Sequence, residues 1–415
     1  MRNDKKLLFI TIVALLFLLA LIPSVKIIDW KKKGNENKNN ELEMLKKEIE
    51  KHKEELSIEK KELEILKNEI ENTIKDFENK QTNCQTDTQK EKESEEKKKK
   101  IELEKEFLEI RKEILNDEGK IDLVYTWGGV TKSMSIRNRY NYELQYSLRS
   151  VDKYLPWVNK IYILINSDTD YPYWLKKQEK LEKIVIVDRC TLIKNPDHCP
   201  TRNTFAVFSA VHKVKGLSKK FVLIDDDVFI NQPLTPDYFF SEDGLPKILQ
   251  ARHRRTIYKE DDFSDRNYPV YKWEDSSHLP KPMRRDFILK FHEKYPTYAE
   301  FVQSHKTRYK ALSEEFSMIL HEFFHEEGLM IEESPSKAKK YQIPFSHPEE
   351  ITQEFDNIYK DLKTQDWKVF NCNDDFSTKP EVYKEQRKVL FRFYNRLFPE
   401  APDFEIPNPD HEKYS

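Results

Sequence analysis

The chain has 415 residues, 38% of them apolar and 35% charged, with a formal net charge of −2. That length allows two or three domains, and the lack of any basic excess outside short runs excludes a nucleic-acid footprint. Apolar and charged residues are segregated, so composition itself marks the boundaries: a short tail over 1–6, an apolar anchor over 7–28, a charged stalk over 29–117, a globular domain over 118–407 and a tail over 408–415.

Leu7 to Val25 is a run of 19 residues without a charge. As a helix it crosses the ~30 Å hydrocarbon core of a bilayer. The rival is a cleaved signal peptide, but the run is long and no small-x-small cleavage site follows it. Arg2, Lys5 and Lys6 precede the span and Lys26 and Lys31 to Lys33 follow it, so charge bias does not fix the topology. The short N-terminus favours a single-pass, type II arrangement, with the large C-terminal part in the lumen of the Golgi or another endomembrane compartment.

From Glu41 to Lys80, Leu42, Ile49, Leu56, Leu63, Ile70 and Phe77 recur every seven residues. The companion seam is poorer, with His52, Glu59 and Thr73 at its positions. This predicts a long coiled-coil helix that pairs weakly with a second copy, the rival being a solvated spacer. Gln81 to Lys100 is polar and charge-blocked and reads as a flexible break. Ile101, Leu108 and Leu115 then resume the spacing.

After Gly119 the pattern becomes that of an α/β domain. Ile121–Trp127, Lys160–Asn166, Lys183–Asp188 and Lys220–Ile230 read as strands, and Tyr142–Tyr154 and Thr204–Val214 as helices. The alternation predicts a Rossmann-like parallel sheet with helices on both faces. Beyond Pro246, helical patterns over Lys281–Lys294, Tyr298–His305, Ser313–Glu327 and Pro380–Phe398 predict a C-terminal helical subdomain.

Ligands of such sheets sit beyond the carboxyl ends of the strands, and Asp225, Asp226 and Asp227 fall there, directly after four apolar residues. Three adjacent carboxylates are costly to bury without a counter-charge. A hard divalent cation, Mg²⁺ or Mn²⁺, sharing its coordination sphere with phosphates, is the partner this predicts; a solvated acidic turn is the alternative. His278, in SHLPKP, sits in a backbone stiffened by Pro280 and Pro282. Arg308 lies in the basic run HKTRYK. Asn373 and Asp374, in FNCNDDF, offer a second set of oxygen ligands. Of the four cysteines, Cys190 and Cys199 have the spacing to close a small disulfide loop in an oxidising lumen, or to remain free thiols.

Together and in this order, these stretches resemble the Stealth family, which includes bacterial capsule hexose-1-phosphate transferases and the animal N-acetylglucosamine-1-phosphotransferase. IDLVYTW (121–127) is similar to the family's DIVYTWV(D/N)G. The second region runs from RYNYELQYSLRSVDKYLPWVNKIYIL to PTRNTFAVFSAVHKVKGLSKKFVLIDDDVFINQPLTPDYFF. The third is SHLPKPMRRDFILKFHEKYP with HKTRYK and SEEFSMILHEFF, and the fourth is FNCNDD with FPEAPDFE. The resemblance covers the globular part and none of the anchor or stalk.

It implies a metal-dependent transferase that moves a sugar 1-phosphate from a nucleotide-diphosphate sugar to a hydroxyl of a glycan or glycoprotein, releasing nucleoside monophosphate. It assigns catalysis to Asp226, His278 and Arg308, metal binding to Asp225, Asp227, Asn373 and Asp374, and the donor pocket or its support to Asp122, Arg139, Arg149 and Asn203. The sequence departs from the family at Gly129-Val130, at Tyr140, where the family has Asp, and at Arg202, Phe205 and Phe208. Altered donor specificity or a weakened site follows from these departures. Two further readings stand beside this one: a metal-dependent glycosyltransferase releasing nucleoside diphosphate, and a membrane-tethered glycan-binding scaffold with a dead site.

Overall fold

The computed structural model describes residues 87–117, 119–129, 140–166, 171–201, 203–249, 279–305, 316–333, 337–343, 348–374 and 376–407. The chain forms two compact units, Met1–Lys112 with Glu242–Gly244, and Glu113–Ser241 with Leu245–Ser415. The expected anchor over 7–28 and the heptads from Leu42 to Phe77 lie outside the described residues. Among the described residues no helix is long and apolar enough to cross a membrane.

Helix α1 (Asp87–Leu115) runs unbroken, so most of the expected break over 81–100 is helical instead. Its Lys, Glu and Gln are strong helix formers, and charges one turn apart add pairs such as Lys100–Glu104 at 3.9 Å and Lys112–Glu109 at 2.8 Å.

The larger unit is built on a five-stranded sheet of β1 (Ile121–Thr126), β2 (Ile161–Ile165), β3 (Ile184–Asp188), β4 (Lys220–Asp225) and β7 (Lys281–Arg284), in the order β3-β2-β1-β4-β7. The first four are parallel, as the alternation predicts, and β7 closes one edge antiparallel to β4. β7 corrects the helix expected from Lys281. A residue preceding proline is driven to extended backbone, so Pro280 and Pro282 hold Leu279 and Lys281 out of helical geometry. An edge strand is where a sheet tolerates proline. The helix α4 starts only at Arg285 and ends at Lys294.

Leu123, Val124 and Tyr125 are all buried, because both faces of β1 are covered. One face receives α2 (Glu143–Tyr154). The other receives α3 (Thr204–Phe208), α4, α5 (Tyr298–Ser304) and α6 (Phe316–Glu326). The helix expected over 204–214 stops early, at Ser209, whose hydroxyl donates to the Ala206 carbonyl at 2.8 Å; a 3-10 turn follows at Val211–Lys213.

The acidic stretch does not continue one strand through to Ile230. The chain turns at Asp226-Asp227, and β5 (Val228–Ile230) joins a second, three-stranded sheet with β10 (Val369–Asp374) and β9 (Ala338–Ile343) in the order β5-β10-β9. The C-terminal region is therefore mixed rather than helical. It holds these strands, the parallel pair β6 (Lys247–Leu249) and β8 (Ile331–Glu333), and helices α7 (Pro348–Thr364) and α8 (Pro380–Leu397). Phe229 on β5 stacks on Phe370 of β10 at 4.9 Å and meets Tyr394 of α8 at 4.8 Å. Helix α2 grips β5 directly: Ser147 donates to the Val228 carbonyl and the Ser150 hydroxyl accepts from the Ile230 amide at 3.0 Å.

The C-terminal segment closes back onto α2. Arg149 donates to Glu405 through Nε at 2.6 Å and through a terminal nitrogen at 2.7 Å, and to the Phe398 carbonyl at 3.0 Å. Gln145 adds a bond to Glu405 at 2.8 Å. Both charges are buried, so removing one strands the other. Arg149→Met should destabilise the domain by about 3–5 kcal/mol. Arg149→Met combined with Glu405→Leu should recover most of that loss. Urea denaturation of both variants checks it, and equal losses in the two would contradict the pairing.

Candidate active site at the acidic turn

The site is assembled by two sheets that meet at one turn. β4 lies beside β1 with Asp225 opposite Thr126, which places the acidic triplet at the carboxyl ends of the parallel strands. The Lys281 ammonium lies 3.4 Å from the Asp225 carboxylate and is itself buried. β10 runs antiparallel to β5 with Asn371 opposite Val228. The Cys372 amide donates to the Asp227 carbonyl at 3.3 Å, and the Asn371 side chain donates to the same oxygen at 3.1 Å. Continuing past these bonds, Asn373 and Asp374 run alongside the acidic turn. The two oxygen-ligand motifs picked out in the sequence are thus brought together.

Two neighbours escaped the sequence reading. The Asn141 side chain donates to Asp374 at 3.0 Å, and its backbone amide donates to the Glu143 carboxylate at 2.7 Å. The Tyr383 hydroxyl of α8 donates to the side-chain oxygen of Asn141. Burial, and then the carboxylates of Asp374 and Asp226, push Glu143 well above the ordinary carboxylate range. Burial, with a smaller contribution from Asp226, likewise raises Tyr125. A signal for the pair existed: Asn-x-Glu opens the helix that follows β1, the position from which side chains reach the strand ends.

Asp122, Arg149 and Asn203 lie elsewhere and act as supports. Asp122 is at the amino end of β1, opposite Phe221, and is buried. Its carboxylate accepts from the Asn159 side chain at 2.8 Å and from the amides of Lys160 and Ser218 at 3.0 and 2.7 Å. Its oxygens are spent on two loops at the far end of the sheet from the acidic turn, so of lining or supporting the donor pocket it takes the supporting part. Arg149 is committed to Glu405. Asn203 caps α3 through the Phe205 amide at 3.1 Å and holds the end of α5 by donating to the His305 carbonyl at 2.9 Å. His278, Arg308 and Arg139 lie outside the described residues.

The departures also find places. Phe205 and Phe208 are core residues of the face covered by α3 to α6. Tyr140 is buried edge-on to Trp127 with ring centres 5.8 Å apart, and Gly129 adopts φ 79°, a conformation that favours glycine. Cys190 and Cys199 form a disulfide, and Cys372 is a buried free thiol.

Lys281 apart, the side chains gathered at the turn offer oxygen, the donor type of a hard divalent cation, and Glu143, raised first by burial and then by Asp374 and Asp226, carries repulsion that such an ion relieves. Among the described residues no group of three or more His, Cys, Asp and Glu converges to hold a metal ion by itself. Any ion here would need further oxygens from a ligand or water.

Residues 137–248 match the family model of Stealth protein CR2, conserved region 2. Over 278 residues the chain is 25% identical to an exopolysaccharide phosphotransferase of Streptomyces coelicolor, spanning 63% of this chain and 49% of that protein. Over 107 residues it is 42% identical to the receptor polysaccharide phosphotransferase WefC of Streptococcus gordonii, spanning 26% of this chain and 31% of that one. The chain therefore spans half or less of the length of these relatives. A crystal structure of the galactosyltransferase LgtC with donor and acceptor sugar analogs aligns with 68% of this chain and 98% of its own, at 13% identity and a TM-score of 0.38, too weak a likeness to carry weight.

Glu143 gives a pH-dependent test. Its folded pKa lies above its unfolded one, so ionisation opposes folding: the penalty is absent below the unfolded value near 4.5 and grows as pH rises toward the folded one. Glu143→Gln should raise the melting temperature by a few degrees at pH 7–8, on the order of 1 kcal/mol, and change it little at pH 4. Thermal melts across that range check it; a destabilised variant at pH 8 would contradict the repulsion.

Proposed function

We propose that this chain, which belongs to the Stealth family, moves a sugar 1-phosphate from a nucleotide-diphosphate sugar to a hydroxyl of a glycan or glycoprotein and releases nucleoside monophosphate. One observation carries the proposal: β10 pairs antiparallel with β5 and so delivers Asn373 and Asp374 to the turn of Asp225, Asp226 and Asp227. The names of the relatives, polysaccharide phosphotransferases, support the same chemistry.

In this reading Asp225, Asp227, Asn373 and Asp374 would hold Mg²⁺ or Mn²⁺, which when bound neutralises the diphosphate. Asp226, or His278 by resemblance, takes the proton of the acceptor hydroxyl as its oxygen attacks the phosphorus bonded to the sugar. The bond between that phosphorus and the bridging oxygen breaks, and the nucleoside monophosphate leaves. Arg308, again by resemblance, stabilises charge on the transferring oxygens; a loose phosphoryl transition state needs positioned positive charge more than a covalent nucleophile. Asn141 keeps Asp374 aimed at the turn. The chain is proposed to act in a lumen, tethered through residues 7–28 and paired with a second copy through its stalk; the Cys190–Cys199 disulfide supports an oxidising compartment.

Divalent metal should raise the melting temperature of the wild type by linkage. Asp226→Asn and Asp227→Asn should abolish that rise and nearly all turnover, whereas unchanged metal stabilisation in both moves the metal elsewhere. His278→Ala and Arg308→Ala should each fold and lose at least about 10²-fold in turnover; near-normal rates remove that residue from the mechanism.

The bond that breaks is read from the products. Chromatography of the spent nucleotide should show the nucleoside monophosphate, and the acceptor's mass should rise by sugar plus phosphate. A nucleoside diphosphate, with a mass gain of sugar alone, overturns phosphotransfer and leaves a metal-dependent glycosyltransferase.

A further inference from the structure

Arg387 is the least expected side chain of α8. It is only 2% exposed, and among the described residues none of its three guanidinium nitrogens has a hydrogen-bond partner. The ring of Tyr142 packs on it, with its centre 4.4 Å from the guanidinium carbon. That contact satisfies the flat face of the cation and none of its N–H groups. Arginine cannot shed its proton in a protein, and a buried charge without a counter-ion is among the costliest arrangements a fold can hold. The adjacent Gln386 is no help, since it accepts from the Ser377 amide at 2.8 Å.

The location gives the vacancy of partners a meaning. Tyr383, one helical turn before Arg387 on the same face of α8, bonds Asn141, and Asn141 bonds Asp374 at 3.0 Å and Glu143 at 2.7 Å. Arg387 therefore stands beside the network that fixes the carboxylates. The Tyr140 hydroxyl is also buried without a partner, packs edge-on to Tyr142 with ring centres 5.8 Å apart, and lies within the field of Arg387. The groups left over are thus an N–H fork, which only donates, and a hydroxyl that can donate beside it. An acceptor-only ligand with several oxygens, such as a phosphate, satisfies them together.

We propose that Arg387, with the hydroxyl of Tyr140, binds oxygens of the donor's diphosphate and supplies a fixed positive charge beside the carboxylate cluster, in addition to that of Lys281. This deepens the sugar-phosphate transfer reading and rests on it for the identity of the ligand. Arg387 is in this view a donor-binding residue placed by α8, far along the chain from the acidic turn.

The test uses the full chain in Mg²⁺ buffer, with inorganic pyrophosphate and uridine diphosphate as probes in thermal melts and titrations. The wild type should be stabilised by both probes. Arg387→Met should fold with an equal or higher melting temperature, because an apolar chain of similar length replaces an uncompensated charge. It should lose at least about tenfold in affinity for both probes, with Tyr140→Phe losing less. In turnover, KM for the nucleotide sugar should rise more than kcat falls. If Arg387→Met does not fold, Arg387→Lys carries the test, with the same tenfold loss expected once the fork is gone. Undiminished pyrophosphate affinity in the variant overturns the proposal, as does a wild type that neither probe stabilises. Probe binding is read without turnover, so a nucleoside diphosphate product would sink phosphotransfer and leave Arg387 standing.

Discussion

Asp226 and Asp227 occupy the few residues in which the backbone leaves one sheet and enters another, and the cost of burying their carboxylates constrains what surrounds them. Had the strand continued, alternate carboxylates would have pointed into a covered face of the sheet. The turn instead hands β5 to a second sheet, where Phe229 meets Phe370 and Tyr394, and leaves the charges at the junction. β10 then adds Asn373 and Asp374, and α2 adds Glu143. The concentration of negative charge is a property of the topology: two sheets and a helix N-terminus each contribute oxygen to one place. Its electrostatic signature is Glu143, raised by burial and then by Asp374 and Asp226.

Much of this was legible in the sequence because its cause is local. The strands over 121–126, 161–165, 184–188 and 220–225 announce themselves as mostly apolar runs, since a parallel strand covered on both faces has little polar side to show. The acidic triplet and FNCND could be singled out by chemistry alone. What brings them together could not: β5 is a three-residue strand, and β10 carries two asparagines, a cysteine and an aspartate in six residues, a composition with little strand character. The pairing is decided by tertiary packing. Lys281 to Arg284 shows the converse: its apolar spacing is helical, but Pro282 makes it an edge strand.

Asp122, Arg149 and Asn203, which resemblance gives as the donor pocket or its support, each spend polar atoms on holding the fold together. Asp122 fastens two loops at the amino end of the sheet, Arg149 fastens the C-terminal segment, and Asn203 fastens the end of α5. Glu143, Asn141 and Arg387, which drew no attention in the sequence, stand in the neighbourhood of the acidic turn.

The Arg149–Glu405 pair also bears on how the protein is made. The two residues are 256 positions apart, and the same terminal segment bridges Leu175 and bonds the backbone of Trp174 and Lys176. At ~5–20 residues per second of synthesis, roughly ten to fifty seconds pass between the emergence of Arg149 and that of its counter-charge. By the end of that interval the main sheet is complete in sequence, but α2 cannot seat its guanidinium without burying a bare charge. The last few residues of the domain therefore act as a latch on its first helix. A ribosome that stops short of them releases a chain holding the acidic turn and both sheets but no partner for Arg149, and quality-control machinery that recognises incomplete burial has a defined region to recognise.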